Sequence, residues 1–171
     1  MNTLQKKICL LGDFGVGKTS LVRRFVEDRF DDKYLTTIGG KISRKSIERR
    51  YGGMSLLIWD LAGSTGFDSF TNPSYMQGTA GAVIVCDMTR RDSLAIAAEY
   101  ARQARILNPR NHLVFVCNKS DLADLRAVSD HDIKSISSTF SDGTFHLTSA
   151  KTGEGVDEMF LSMANKIDAQ A

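Results

Sequence analysis

Gly12-Asp13-Phe14-Gly15-Val16-Gly17-Lys18-Thr19 is the stretch on which the reading of this chain turns. It fits Gly-x-x-x-x-Gly-Lys-Ser/Thr, the pattern of a phosphate-binding loop. The apolar run Ile8-Cys9-Leu10-Leu11 ahead of it reads as a buried strand, and Thr19 to Val26 behind it reads as a helix. Strand, glycine loop and helix are the setting the motif requires. Glycines carry no Cβ, so several backbone N–H groups can close round one phosphate. The helix N-terminus points its partial positive charge at the same anion. Lys18 can reach the β- and γ-phosphates, and the Thr19 hydroxyl can ligate Mg²⁺. Asp13, Phe14, Gly15, Val16, Gly17, Lys18, Thr19 and Ser20 are therefore the candidate phosphate contacts.

A chain of 171 residues is most simply one domain, spanning residues 1–171, with a full core. Its net charge of +2 gives no reason to propose nucleic acid and little to propose an acidic membrane surface. Cys9, Cys86 and Cys117 stand singly inside apolar runs. They read as small buried hydrophobes and suit a reducing, cytoplasmic compartment. His112, His131 and His146 have no ligand spacing and read as structural. The apolar stretch after Lys6-Lys7 is too short for a signal peptide or a membrane span. Met1-Asn2-Thr3 offers no myristoylation glycine and Asp168-Ala169-Gln170-Ala171 no prenylation cysteine. The expectation is a chain without a membrane anchor, meeting membranes only through a partner or a missing tail.

The first strand reads as about Gln5 to Leu11, apolar without alternation, as in a parallel sheet buried on both faces. The helix after the loop runs to about Glu27. Phe30 to Gly40 lacks periodicity; it follows the helix directly and can swing past the phosphate site, and the Thr36-Thr37 hydroxyls can bind Mg²⁺. Lys41 to Arg50 reads as a charged edge strand, Tyr51-Gly52-Gly53 as a turn, and Met54 to Trp59 as the returning strand of a hairpin. That strand delivers Asp60, placed as the Mg²⁺ carboxylate of P-loop nucleotidases. Ser64 to Gly78 reads as mobile, with one short helix. Ala80 to Asp87 is a buried strand, and Asp92 or Thr89 can cap the helix after it, which ends near Asn108-Pro109. Leu113 to Cys117 is a further buried strand, Asp130 to Ser138 a modest helix, and Thr144 to Thr148 a last short strand. Val156, Met159, Phe160, Met163 and Ile167 form the packed stripe of a terminal helix.

The strand ending at Cys117 delivers Asn118-Lys119-Ser120-Asp121 to the end of the sheet where ligands of open α/β folds bind. The tetrad fits Asn-Lys-x-Asp. The Asp121 carboxylate can accept both N1–H and N2–H of guanine. Adenine would leave it unpaired, and a buried polar mismatch discriminates strongly. Asn118 can bind the base edge and tie loops together, and the Lys119 stem can lie across the ring. Ser149-Ala150-Lys151 follows the last strand to the same end, where small residues let backbone N–H groups approach the guanine O6.

Taken together, the phosphate loop, Thr37-Ile38-Gly39, Trp59-Asp60-Leu61-Ala62-Gly63, Asn118 to Asp121 and Ser149-Ala150-Lys151 resemble the Ras superfamily of small GTPases, closest to its Rab branch. The resemblance runs from about Lys6 to Ile167. It implies an α/β P-loop fold: a mainly parallel six-stranded sheet with one antiparallel edge strand and helices on both faces. It also implies a GTP/GDP switch that uses Mg²⁺ and hydrolyses GTP. Lys18 would bind the β- and γ-phosphates. Thr19, Thr37 and Asp60 would be the metal ligands, with Thr37 acting only in the GTP state. The Gly63 N–H would sense the γ-phosphate. Phe30 would flank the guanine, and Asn118, Lys119, Asp121, Ser149, Ala150 and Lys151 would complete the base pocket. Regions around 30–40 and 61–78 would be the two switches. Effector, exchange and GTPase-activating proteins are the partners it implies.

Two departures bear on catalysis, for which Lys18, Thr37, Gly63 and Ser64 are the candidates. The family follows the metal aspartate with Thr-Ala-Gly-Gln, where this chain has Leu61-Ala62-Gly63-Ser64. The glutamine orients the attacking water; Ser64 is shorter and needs another water or a neighbour. The family also prefers a small residue where this chain has Phe14. Either Phe14 packs outward and Ser64 is a tolerated variant, or the ring crowds the reaction space and hydrolysis is slow. Gly40 stands where Rab-like chains usually have Val, which weakens the start of the edge strand. Two alternatives stay open: a pseudo-GTPase that binds guanine nucleotide without turnover, and an ATP-using phosphotransferase, against which Asn118 to Asp121 speak.

Overall fold

A computed structural model describes residues 3–31, 40–49, 52–61 and 75–169. The elements run β1 (Leu4–Gly12), α1 (Lys18–Glu27), β2 (Gly40–Arg49), β3 (Gly52–Leu61), β4 (Thr79–Asp87), α2 (Arg91–Leu107), β5 (His112–Asn118), α3 (Asp130–Phe140), β6 (Phe145–Leu147) and α4 (Val156–Asp168). The strands form one six-stranded sheet in the order β2-β3-β1-β4-β5-β6. Only β2 is antiparallel to its neighbour. The mainly parallel sheet with one antiparallel edge expected from the sequence is the sheet observed.

Side chains alternate across each strand, and the two faces of the sheet have separate cores. Ile8 and Leu10 point into a cluster with Leu21 and Phe25 of α1 and Met159, Phe160 and Met163 of α4. Cys9 and Leu11 point into the opposite cluster with Ala97 and Tyr100 of α2 and Ile133 of α3. Both faces are covered, so β1, β4 and β5 read as unbroken apolar runs. Phe25 and Phe160 stack at 4.1 Å between ring centroids, locking α1 against α4. Cys9, Cys86 and Cys117 are free thiols buried in the α2–α3 core. Among the described residues no helix is long and apolar enough to cross a membrane.

The boundaries depart from the sequence reading in instructive ways. Gly52 and Gly53 belong to β3, pairing with Arg49 and Glu48, so the chain reverses between Arg49 and Gly52. Gly40 pairs with Leu61 and opens β2. Neither Thr89 nor Asp92 caps α2 with its side chain: the N-cap is Arg90. Ser93 does the local work, its hydroxyl donating to the Arg90 carbonyl at 2.7 Å and accepting the Asp87 N–H at 2.9 Å. Thr89 instead turns both its N–H and its hydroxyl onto Asp87. The Ser93 hydroxyl thus ties the first turn of α2 to the end of β4 without capping the free N–H groups of the helix. α3 runs to Phe140, two residues beyond the expected end, and β6 keeps only three residues.

Register positions the site. β1 ends at Gly12 beside Val85 of β4, and Asp87 at the end of β4 pairs with Asn118 at the end of β5. Asp60 of β3 lies beside Leu10. Four parallel strands thus deliver a glycine loop, two carboxylates and an amide to one end of the sheet.

Candidate functional site

The loop between β1 and α1 is built backbone first. Gly17 caps α1 in the left-handed region, with φ of 101°, and a Cβ there would fall 2.4 Å from the Asn118 Nδ2. Both facts require glycine. The loop can therefore approach β5 closely, and Asn118 Nδ2 donates to the Val16 carbonyl at 3.0 Å. Asn118 Oδ1 accepts the Thr148 hydroxyl at 3.0 Å, so one amide joins the glycine loop to the segment after β6. The N–H groups of the first turn of α1 have no intrahelical acceptor, as at any helix N-terminus.

Lys18 folds back over this loop. Its Nζ donates to the carbonyls of Gly12 at 2.8 Å and Asp13 at 2.9 Å. The residue is only 7% exposed, and among the described residues it has no carboxylate at ion-pair distance. Burial pushes its pKa down to about 8, against the pull of Asp60 and Asp13. A buried ammonium held by carbonyls alone is a cation placed for an anion.

Beside it, the Thr19 hydroxyl donates to Asp60 Oδ2 at 2.5 Å. Asp60 is 1% exposed, and its Oδ1 finds no hydrogen-bond partner among the described residues. Burial raises its pKa, while Thr19 and Lys18 oppose the rise. An orphaned carboxylate oxygen beside a hydroxyl is a hard, all-oxygen donor pair, the kind Mg²⁺ prefers. Among the described residues no three His, Cys, Asp or Glu side chains cluster. Other oxygens must complete such a site, as substrate phosphates and water do at Mg²⁺ sites of this kind.

Asp13 and Phe14 are held from outside the loop. Asp13 Oδ1 accepts the Phe14 N–H at 2.8 Å, while its Oδ2 pairs with Arg90. Arg90 also donates to the Phe14 carbonyl at 2.8 Å. Phe14 is 37% exposed.

At the other end, Lys119 stands in the left-handed region with φ of 69°. Its Nζ donates to the Gly15 carbonyl at 2.9 Å and pairs with the fully buried Asp87 at 2.8 Å. Asp121 accepts the Ser149 hydroxyl at 2.8 Å. Ser149 and Ala150 are buried and Lys151 is exposed. Phe30 is half-buried at the margin of the α1–α4 core. Thr37, Gly63 and Ser64, and most of both expected switches, lie outside the described residues.

The fold thus brings together Asp13 to Thr19, Asp60, Asn118 to Asp121 and Ser149 to Lys151. Sequence reasoning missed Asp87, Arg90, Thr148 and Arg24. Asp87 ends an apolar strand as Asp60 does, a usable signal. Arg90 and Arg24 reach the site across long sequence separations, 76 and 126 residues.

Comparison with known proteins agrees with this geometry. The model of the Ras family matches residues 7–169. Ras-related protein Rab-22A of Homo sapiens is 37% identical over 162 residues, covering 94% of this chain and 82% of that protein. Ras-related protein Rab-31 of Homo sapiens gives the same identity and coverage. Ras-related protein RABF2b of Arabidopsis thaliana is 35% identical over 167 residues, covering 96% and 82%. A glycine loop with a buried lysine, an Asn-Lys-x-Asp strand end and near full-length similarity together place the chain: it belongs to the Ras family of small GTP-binding switch proteins, close to the Rab branch.

Proposed function

We propose that this site binds GTP and GDP with Mg²⁺, and that the chain, as a single domain, hydrolyses GTP slowly and signals through the segments around 30–40 and 61–78. The observation that carries the reading is the joining of phosphate and base ends by single side chains. Asn118 reaches Val16 and Thr148, and Lys119 reaches Gly15 and Asp87. A loop that reads phosphate and a loop that reads a base are thereby held at one spacing.

In this reading the N–H groups of Gly15 to Ser20 cradle the phosphates, with Asp13 and Phe14 at the rim. Lys18 binds the β- and γ-phosphates, and a neighbouring anion favours its charged form against the burial that lowers its pKa. Thr19 and Asp60 hold Mg²⁺, joined by Thr37 in the GTP state. When bound, the ion neutralises charge developing on the phosphate oxygens. Gly63 senses the γ-phosphate, and Ser64 takes the place of the usual glutamine, so water is poorly oriented and turnover slow. Asp121 accepts from N1–H and N2–H of guanine, Ala150 and Lys151 offer N–H groups to O6, and Phe30 flanks the ring. Effectors, exchange factors and activating proteins are the partners of such a switch. An activating protein that adds its own groups raises such rates by roughly 10³–10⁵.

A second reading, a guanine-nucleotide module without turnover, draws on Ser64 in place of the usual glutamine and on Phe14 in place of a small loop residue. Asp121→Asn tests the base pocket common to both. The amide offers a donor where the carboxylate accepts, so preference should move from guanine toward xanthine nucleotides, with GDP affinity falling by at least about a hundredfold. Unchanged GDP affinity without xanthine binding removes Asp121 from the pocket.

A further inference from the structure

Arg24 lies on the second turn of α1, the helix whose first turn carries Lys18 and Thr19. Its guanidinium reaches across to the loop after β6. Nε donates to the Ala150 carbonyl at 2.8 Å and Nη2 to the Lys151 carbonyl at 2.6 Å. Nη1 meets Asp28 at 3.2 Å, four residues on. The side chain is 18% exposed while that of Asp28 is 93% exposed, so the loop contacts are the sheltered ones. Two donors of one rigid fork on two consecutive carbonyls fix the tilt of both peptides, which a single flexible ammonium cannot do.

The tilt has a directional consequence. A trans peptide sets its N–H opposite its C=O. With the Ala150 carbonyl held toward α1, the Lys151 N–H points the other way. With the Lys151 carbonyl held likewise, the Thr152 N–H turns inward, where it donates to the Ser149 hydroxyl at 3.1 Å. That hydroxyl in turn donates to Asp121. The rest of the loop is closed on itself by Gly153 N–H to Ser149 O at 2.7 Å and Ser149 N–H to Glu154 O at 2.9 Å. Among the described residues no hydrogen bond takes up the N–H of Ala150 or of Lys151.

We propose that Arg24 is a positioning residue for base selection, acting through the Ala150 carbonyl to aim the Lys151 N–H at the oxygen on C6 of the base, while its bond to the Lys151 carbonyl keeps the Thr152 N–H on Ser149. The proposal rests on the guanine reading above. It makes α1 a strut between the two ends of the nucleotide, with phosphate groups at its first turn and the base reader at its second.

The test measures dissociation constants of GDP, IDP and 6-thio-GDP for the parent chain, Arg24→Met, Arg24→Lys and Asp28→Asn. IDP lacks the exocyclic amine that Asp121 reads, and 6-thio-GDP replaces the oxygen on C6 with a poorer acceptor. The expected result is that Arg24→Met lowers the preference for GDP over 6-thio-GDP by about five- to tenfold, the scale of one lost hydrogen bond. The GDP-over-IDP preference stays as in the parent, Arg24→Lys falls between, and Asp28→Asn changes neither ratio. If Arg24→Met does not fold, the Arg24→Lys ratio alone decides. A parent chain with no preference for GDP over either analogue overturns the guanine reading itself. A discriminating parent with unchanged ratios in the Arg24 variants overturns the Arg24 proposal only. Equal shifts in both ratios also overturn it, since they mark general loosening of the site.

Discussion

Gly17 shows how much one missing Cβ does at the residue scale. Its left-handed backbone and its approach to Asn118 are separate demands, and alanine violates both. The backbone strain costs about 1–2 kcal/mol. Asn118 cannot step aside freely, because its amide is bonded to Val16 on one side and Thr148 on the other. Gly17→Ala should therefore lower Tm by about 2–8 °C and weaken GDP binding by at least about tenfold. Thermal melting with and without GDP checks this; an unchanged Tm together with unchanged GDP affinity would show that the close approach is not required. Lys18 is legible from the sequence for a local reason: phosphate cradles are contiguous, so their spacing survives in one dimension. Arg24 and Arg90 were not legible. Arg24 is an ordinary helix arginine and Arg90 an ordinary residue ahead of one, until the fold sets a carbonyl 126 or 76 residues away within reach.

At the scale of elements, the helices differ in how they begin. α1 starts at Gly17 without a side-chain cap, which leaves its first N–H groups for an anion. α3 starts at a reciprocal capping box, in which the Ser129 hydroxyl accepts the Asp132 N–H and the Asp132 carboxylate accepts the Ser129 N–H. α2 and α4 also start without a side-chain cap, so what sets α1 apart is the glycine loop that leads into it. The Ser129 N–H and hydroxyl, with Arg91 assisting, hold the Asp132 carboxyl down to about 2, against an ordinary value of 3.8. Because the folded value lies below the unfolded one, this support is present in full above about pH 4. It is lost as pH falls toward 2. Asp132→Ala should lower stability at pH 7 and show a shallower loss than the parent between pH 4 and 2, read by urea melts across that range. Parallel acid limbs for the two proteins would remove Asp132 from the acid response. The sequence placed α3 but missed its last two residues, although Phe140 continues the Ile133–Ile136 stripe at helical spacing and packs on Phe115. It also took Gly52-Gly53 for a turn, because a glycine pair favours turns locally while ten paired residues of β2 carry the ladder through it.

Across the whole molecule, function follows from register. Parallel pairing sets Gly12, Asp60, Asp87 and Asn118 at one end of the sheet, and α1 and α4 pack on one face and α2 and α3 on the other. A mainly parallel six-stranded sheet with one antiparallel edge was legible because apolar runs without alternation imply burial on both faces and because a charged strand beside a glycine pair reads as a hairpin. The order β2-β3-β1-β4-β5-β6 rests on pairings distant in sequence and came only with the structure. The reaction itself was less legible. Lys18, Thr19 and Asp60 are held by burial and hydrogen bonds within the described residues, and Thr37, Gly63 and Ser64 lie outside them. The central claim is a Mg²⁺-dependent switch that turns over slowly without a glutamine at position 64. The most direct measurement is single-turnover hydrolysis of preloaded GTP, with bound nucleotide analysed over hours in the presence and absence of Mg²⁺. The account predicts gradual, Mg²⁺-dependent conversion to bound GDP and free phosphate. GTP that stays bound and intact throughout, with Mg²⁺ present, would contradict it and identify the chain as a nucleotide-binding module without turnover of its own.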